Sequence, residues 1–163
     1  MRSRRTVVLV AVLAIALAVV FWRGWGGEAA AVRARLNSLV REVNSESGEG
    51  LAMVARAANI GSYFTQDVVI DLGRGSARIE GREMLMGMAS RLQRRTSAFE
   101  VTLDDVEVKL PIEGTADVRL TASFVQKNEP GDDPGEAREF ALVMTKTSGA
   151  WQISRMTAVE TLR

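Results

Sequence analysis

The chain has 163 residues, 47% hydrophobic and 25% charged, the composition of one ordinary globular domain. It contains no cysteine and no histidine, which excludes disulfides, zinc–thiolate sites, cysteine nucleophiles and a histidine-based triad. Net charge is +1, but Arg2, Arg4, Arg5 and Arg23 sit in the N-terminal segment; the rest holds 17 basic against 20 acidic residues, lacking the basic surface that nucleic-acid binding needs.

The first stretch, Arg2-Ser3-Arg4-Arg5, precedes an uncharged run, Thr6–Trp22. As a helix this run would rise about 25 Å, close to a hydrocarbon core roughly 30 Å thick. Phe21, Trp22 and Trp25 would form an aromatic belt, and arginines before the run would hold the N-terminus in the cytoplasm. The sequence therefore predicts a cytoplasmic stub over residues 1–5 and a single-pass anchor over 6–22. A linker over 23–27 then leads to a periplasmic or otherwise extracytoplasmic domain over 28–163. Ala16-Leu17-Ala18 gives the rival reading of a cleaved signal peptide; the apolar run continuing through Val19, Val20 and Phe21 favours an anchor.

Glu28 to about Val43 has the spacing of an amphipathic helix, with Val32, Leu36, Leu39, Val40 and Val43 on one stripe. Asn44 to Gly50 is a polar turn. Leu51–Ala58 predicts a short helix with Leu51, Val54, Ala55 and Ala58 inward. Val68–Leu72 is a first strand, Gly73-Arg74-Gly75 a turn or bulge, and Ala77–Glu80 a short returning strand. Gly81 opens a third helix, with Glu83 at its positive end and Arg91, Arg94 and Arg95 near its negative end. Met84, Leu85, Met88, Ala89 and Leu92 form its apolar face, and Met86 falls off it.

Beyond Ala98 the period changes to two. Phe99, Val101 and Leu103 share one parity, and Val106, Val108 and Leu110 the other. A β-bulge at Asp104-Asp105 restores the inward face, and accounts for that acidic pair better than a metal site would. Pro111–Gly114 turns, and Ala116, Val118, Leu120, Ala122 and Phe124 then alternate with polar residues. Lys127–Glu136 is a loop; Phe140, Leu142 and Met144 alternate after it. Ser148-Gly149 turns into a last strand that begins with Trp151 and Ile153 and runs to about Thr161. The expected class is α+β, a curved antiparallel sheet packed on three helices.

Three segments carry a family resemblance. Tyr63-Phe64 with Asp67-Val68-Val69-Ile70-Asp71, then Ile79-x-Gly81-Arg82-Glu83, then Trp151-x-Ile153 after a Ser-Gly turn resemble SnoaL-like members of the nuclear transport factor 2-like fold. The resemblance spans roughly Glu28–Arg163. It implies a cone-shaped cavity lined by Tyr63, Asp71, Met84, Met88 and Trp151. In isomerase and cyclase relatives a carboxylate near the end of the first strand acts as base, and Asp71 is the residue of this chain that matches; it should share a face with Val69. The histidine–aspartate pair of dehydratase-like relatives cannot form here. Two functions follow as expectations. The first is a non-catalytic, membrane-held accessory subunit that binds a membrane or envelope protein, or a second copy of itself. The second is an enzyme or small apolar ligand binder using Asp71 as acid/base. No cofactor and no metal are expected.

Overall fold

The structure is a computed structural model that describes residues 27–45, 50–73, 75–76, 78–93, 99–126 and 136–159. The run Thr6–Trp22, the loop residues 127–135, Arg94 and Arg95 lie outside the described residues. So do the side chains of Ala89, Arg91 and Leu92. Among the described residues no helix is long and apolar enough to cross a membrane.

Helix α1 covers 27–44 and α2 covers Leu51–Gly61; β1 is Phe64–Asp71 and β2 Ile79–Glu80. Helix α3, Arg82–Gln93, is followed by four long strands: β3 Phe99–Ile112, β4 Thr115–Gln126, β5 Glu136–Thr147 and β6 Ala150–Ala158. The α+β class and the β3–β6 antiparallel meander are as the alternation predicts. The whole six-stranded sheet has the order β2-β1-β6-β5-β4-β3, with β1 parallel to β6. The first strand starts at Phe64, earlier than the apolar run Val68–Leu72 suggests. It does so because the Ile153 amide donates to the Tyr63 carbonyl at 2.8 Å and draws this end of the strand into the ladder. Pro111 likewise stays within β3, and only Glu113-Gly114 turn.

The bulge in β3 falls where the parity change requires it. Register with β4 shifts between Asp104 and Glu107, and Asp105 adopts φ 52°. Leu103, Val106, Val108 and Leu110 consequently all pack against the core. A second bulge, in β6, also follows a change of parity, from Trp151 and Ile153 to Met156 and Ala158, which the sequence reading did not include. Register shifts beside Val143/Met144, and the extra residue, Ser154, donates its hydroxyl to the Val143 carbonyl at 3.1 Å. Ile153 is buried before this bulge, and Met156 and Ala158 pack inward after it.

Helix α1 lies across the inner face of the sheet. Val32 and Leu36 are buried against the β4 row Ala116, Val118, Leu120 and Ala122 and the β5 row Phe140, Leu142 and Met144 within one apolar cluster. Asn44 ends the helix by treating the outer edge of β3 as a strand would: its Nδ2 donates to the Val101 carbonyl (2.7 Å) and its Oδ1 accepts from the Val101 amide (2.8 Å). An open edge is thereby partly closed.

Helix α2 turns the other way from its expected orientation. Leu51 and Val54 are 88% and 62% exposed, Ala55 and Ala58 are exposed as well, and Arg56, Ala57, Ile60 and Gly61 are buried. Two contacts impose this. Arg56 donates from Nε to the Glu42 carbonyl (3.1 Å) and from a terminal nitrogen to the Val43 carbonyl (2.7 Å), occupying oxygens that the end of α1 leaves open. Gly61 meets α3, where a Cβ would stand 2.9 Å from Met86 Sδ. The same contact revises the α3 face. Met86 is half-buried against Gly61, Leu85 and Met88 pack against the core, and Met84 is 53% exposed.

Candidate functional site

Tyr63 and Asp71 lie at the two ends of β1. The Tyr63 ring is half-buried with the Arg35 guanidinium 3.9 Å from its centroid, a distance suited to cation–π attraction. Arg35 also donates to the Trp151 carbonyl (3.1 Å) and the Ser62 carbonyl (3.0 Å), so this arginine joins α1 to the turn before β1 and to β6. Asp71 shares its face with Val69, as expected, but the core face of the strand is the other one, that of Val68 and Ile70. Its Oδ1 accepts from the Gly73 amide at 3.0 Å, and Gly73 supplies the φ of 86° that the turn requires. The carboxylate is thus a turn-closing group. Of the methionines, Met88 packs against the core and Met84 points largely into solvent.

Trp151 belongs to a different place. A cleft of about 700 Å³ opens where α1 begins, between the β3–β4 turn and the β5–β6 turn, lined on its apolar side by Leu110, Pro111, Ile112 and Trp151. Glu28 and Lys146 supply its polar side. Glu28 Oε1 is 2.6 Å from Lys146 Nζ, and Glu28 Oε2 accepts from the indole Nε1 of Trp151 at 2.9 Å. The Lys146 ammonium also stands 5.9 Å from the indole ring centroid. Trp151 is only 4% exposed, so one carboxylate fixes both the buried indole and the rim cation. An apolar wall with a few convergent polar atoms is the usual make-up of a binding site. Two other clefts differ in kind. One, about 370 Å³, crosses the sheet face away from the helices among Glu107, Lys109, Asp117, Arg119 and Arg155. The other, about 530 Å³, is walled by polar side chains where β1 arcs away from β6.

The hydrogen bond from Lys146 lowers the Glu28 carboxyl below its ordinary range; partial burial opposes this, and the Trp151 N–H and the Lys146 charge add to the lowering. A carboxyl lowered in the folded state adds stability above its unfolded pKa, near ~4.3, and loses it as pH falls through the folded value. Glu28→Gln keeps an acceptor for the indole and removes the charge. The urea midpoint of this variant is expected to vary less over the acid limb than that of the parent. The difference should be small and should shrink with salt, because both partners are more than a third exposed. Equal acid slopes for the two proteins would exclude a contribution from Glu28.

Sequence reasoning named Trp151 as a cavity residue and did not name Glu28, Lys146 or Arg35 as such. Glu28 and Lys146 are 118 residues apart, and each looks like an ordinary solvated charge in its own element. Among the described residues no group of three or more acidic side chains is arranged to hold a metal ion.

Residues 54–157 match the SnoaL-like domain family. No curated protein matches the sequence. Solved structures with the same fold include a candidate scytalone dehydratase from Novosphingobium aromaticivorans, 13% identical, covering 83% of this chain and 85% of that one with a TM-score of 0.64. A candidate aromatic ring hydroxylase from the same organism is 18% identical over 83% of this chain and 90% of that one, with a TM-score of 0.63. A nuclear transport factor 2-like protein with a cystatin-like fold, also from that organism, is 13% identical over 90% and 86%, with a TM-score of 0.64. At these identities the likeness to the solved structures is one of fold.

Proposed function

The chain belongs to the SnoaL-like domain family, and from that premise we propose that it is a membrane-tethered, non-catalytic accessory domain whose binding surface is the cleft beside Trp151. One observation carries the non-catalytic part. Asp71, the carboxylate that the family resemblance offers as base, faces away from Val68 and Ile70 and spends an oxygen on the Gly73 amide. A base in the cavity needs the opposite orientation and an apolar wall around it. The tethered part rests on sequence, on three arginines followed by the uncharged run Thr6–Trp22. In this reading the domain stands outside the cytoplasm, and the tether raises its effective concentration toward partners in or against the membrane.

Two measurements test the proposal. Crosslinking of the full chain in native membranes should recover a reproducible membrane or envelope partner, and Asp71→Asn should recover it equally well, because asparagine keeps the acceptor for Gly73. The catalytic alternative, a proton transfer of the isomerase kind, predicts instead that the parent exchanges the α-proton of an enolisable ketone and that Asp71→Asn abolishes the exchange. That second result would overturn the proposal.

A further inference from the structure

The described chain starts at the cleft. Gly27 opens α1, and Glu28, in its first turn, forms part of the cleft wall. Five residues, 23–27, separate Glu28 from Trp22, the last residue of the apolar run. Fully extended they reach about 17 Å, at roughly 3.3–3.6 Å each. Whatever surface holds Thr6–Trp22 is therefore held close to this end of the sheet. The opposite end of the domain is separated from it by the length of α1, about 27 Å for 18 residues at ~1.5 Å each. That distance sets the exposed α2 residues Leu51 and Val54 well back from the tether, beside the α1 C-terminus that Arg56 closes.

At the near end the tip of the β3–β4 turn carries Ile112, 68% exposed, next to exposed Pro111. A large side chain left in water at a turn tip has no role in the core beneath it, yet beside the apolar cleft wall of Leu110 and Pro111 it suits a lipid surface. We propose that this end of the domain rests on the phospholipid bilayer, with Ile112 below the headgroups and the cleft between Leu110 and Trp151 open to the acyl chains. The proposal rests on the tethered reading above and names the occupant of the same cleft. The rim charges specify the lipid. Glu28 and Lys146 neutralise one another, and Glu113 remains as an exposed anion. This end therefore has no cationic excess to seek anionic headgroups, and the contact is an apolar one made equally with zwitterionic lipid.

The absence of native cysteine makes the test direct. The full chain carrying Ile112→Cys, and separately Glu113→Cys, is labelled with a nitroxide and reconstituted in vesicles of phosphatidylcholine alone. Val54→Cys serves as the distant reference. Labels at 112 and 113 should relax more with dissolved oxygen than with a water-soluble nickel chelate. The label at 54 should show the reverse, and an added fraction of phosphatidylglycerol should leave the ratio at 112 unchanged. If the protein floats with the vesicles while 112 and 113 are as open to nickel as 54, the bilayer contact is wrong and the tether stands. If the labelled proteins do not float, both the tether and the contact are wrong. Contact that appears only with phosphatidylglycerol would overturn the apolar mechanism.

Discussion

Arg56→Met lowers the stability of the domain by about 1–3 kcal/mol, the scale of two lost charge-assisted hydrogen bonds, the Glu42 carbonyl keeping the Ser45 hydroxyl at 2.8 Å. Methionine keeps the long apolar stem that lies against the helix pair, so the loss isolates the guanidinium. That group is 8% exposed and binds the Glu42 and Val43 carbonyls, at the end of α1 where the helix dipole is negative and the last four carbonyls have no partner within the helix. Without it, the reason for α2 to present Arg56, Ala57, Ile60 and Gly61 inward is weakened. The alternative face, Leu51, Val54, Ala55 and Ala58, is the more apolar of the two and competes for burial. Arg56→Lys should fall between the parent and Arg56→Met, since an ammonium keeps the charge without the fork. Urea denaturation reads the effect. Arg56→Met with the parent midpoint would show that apolar packing at Gly61 and Met86 sets the orientation of α2 alone.

Insertion of an alanine between Glu107 and Val108 should cost more, about 2–4 kcal/mol, while deletion of Asp105 should cost little. The inserted residue sends Val108 and Leu110 to the outer face of β3, where each forfeits part of the roughly 1.5–3 kcal/mol of a fully buried aliphatic side chain. Removal of Asp105 instead leaves Leu103, Val106, Val108 and Leu110 in unbroken alternation on the inner face. Leu110 also forms a wall of the Trp151 cleft, so the insertion removes the cleft together with the register. Asp105→Gly separates register from sequence. Glycine takes the φ of 52° without the Cβ clash that a side chain suffers there, so this variant should keep the fold and match or slightly exceed the parent in stability. Thermal unfolding of these variants decides the matter. An insertion variant as stable as the parent would mean that β3 tolerates a slipped register, and that the parity change in its sequence has no structural role.

The candidate site was legible only in fragments. Trp151 announced itself as an aromatic residue opening the last strand, and the cleft does include it. Asp71 announced itself through family resemblance, and the sequence also placed it on the face of Val69. What the strand could not say is which of its faces the sheet would bury. Val68-Val69-Ile70 is apolar on both parities, and the choice was made by pairing with β2 and β6 on either side. Glu28 and Lys146 were illegible for a plainer reason: a charge at a helix start and another near a strand end carry no mark of their partnership until the chain brings them together.

The sequence by itself determined the stripe of α1 through Val32, Leu36 and Leu39, though not its last member, the exposed Val43. It also determined the change of period after residue 98, the bulge at Asp104-Asp105 and the meander that follows. These features are local, because apolar spacing along a few residues already states which side chains can leave water together. Tertiary structure decided the parallel pairing of β1 with β6, the rotation of α2 around Arg56, the outward face of Asp71 and the carboxylate that joins Lys146 to Trp151. Each of these is a contest between alternatives that neighbouring residues leave nearly equal in energy. Partners distant in the chain break the tie, and only the folded molecule brings them within reach.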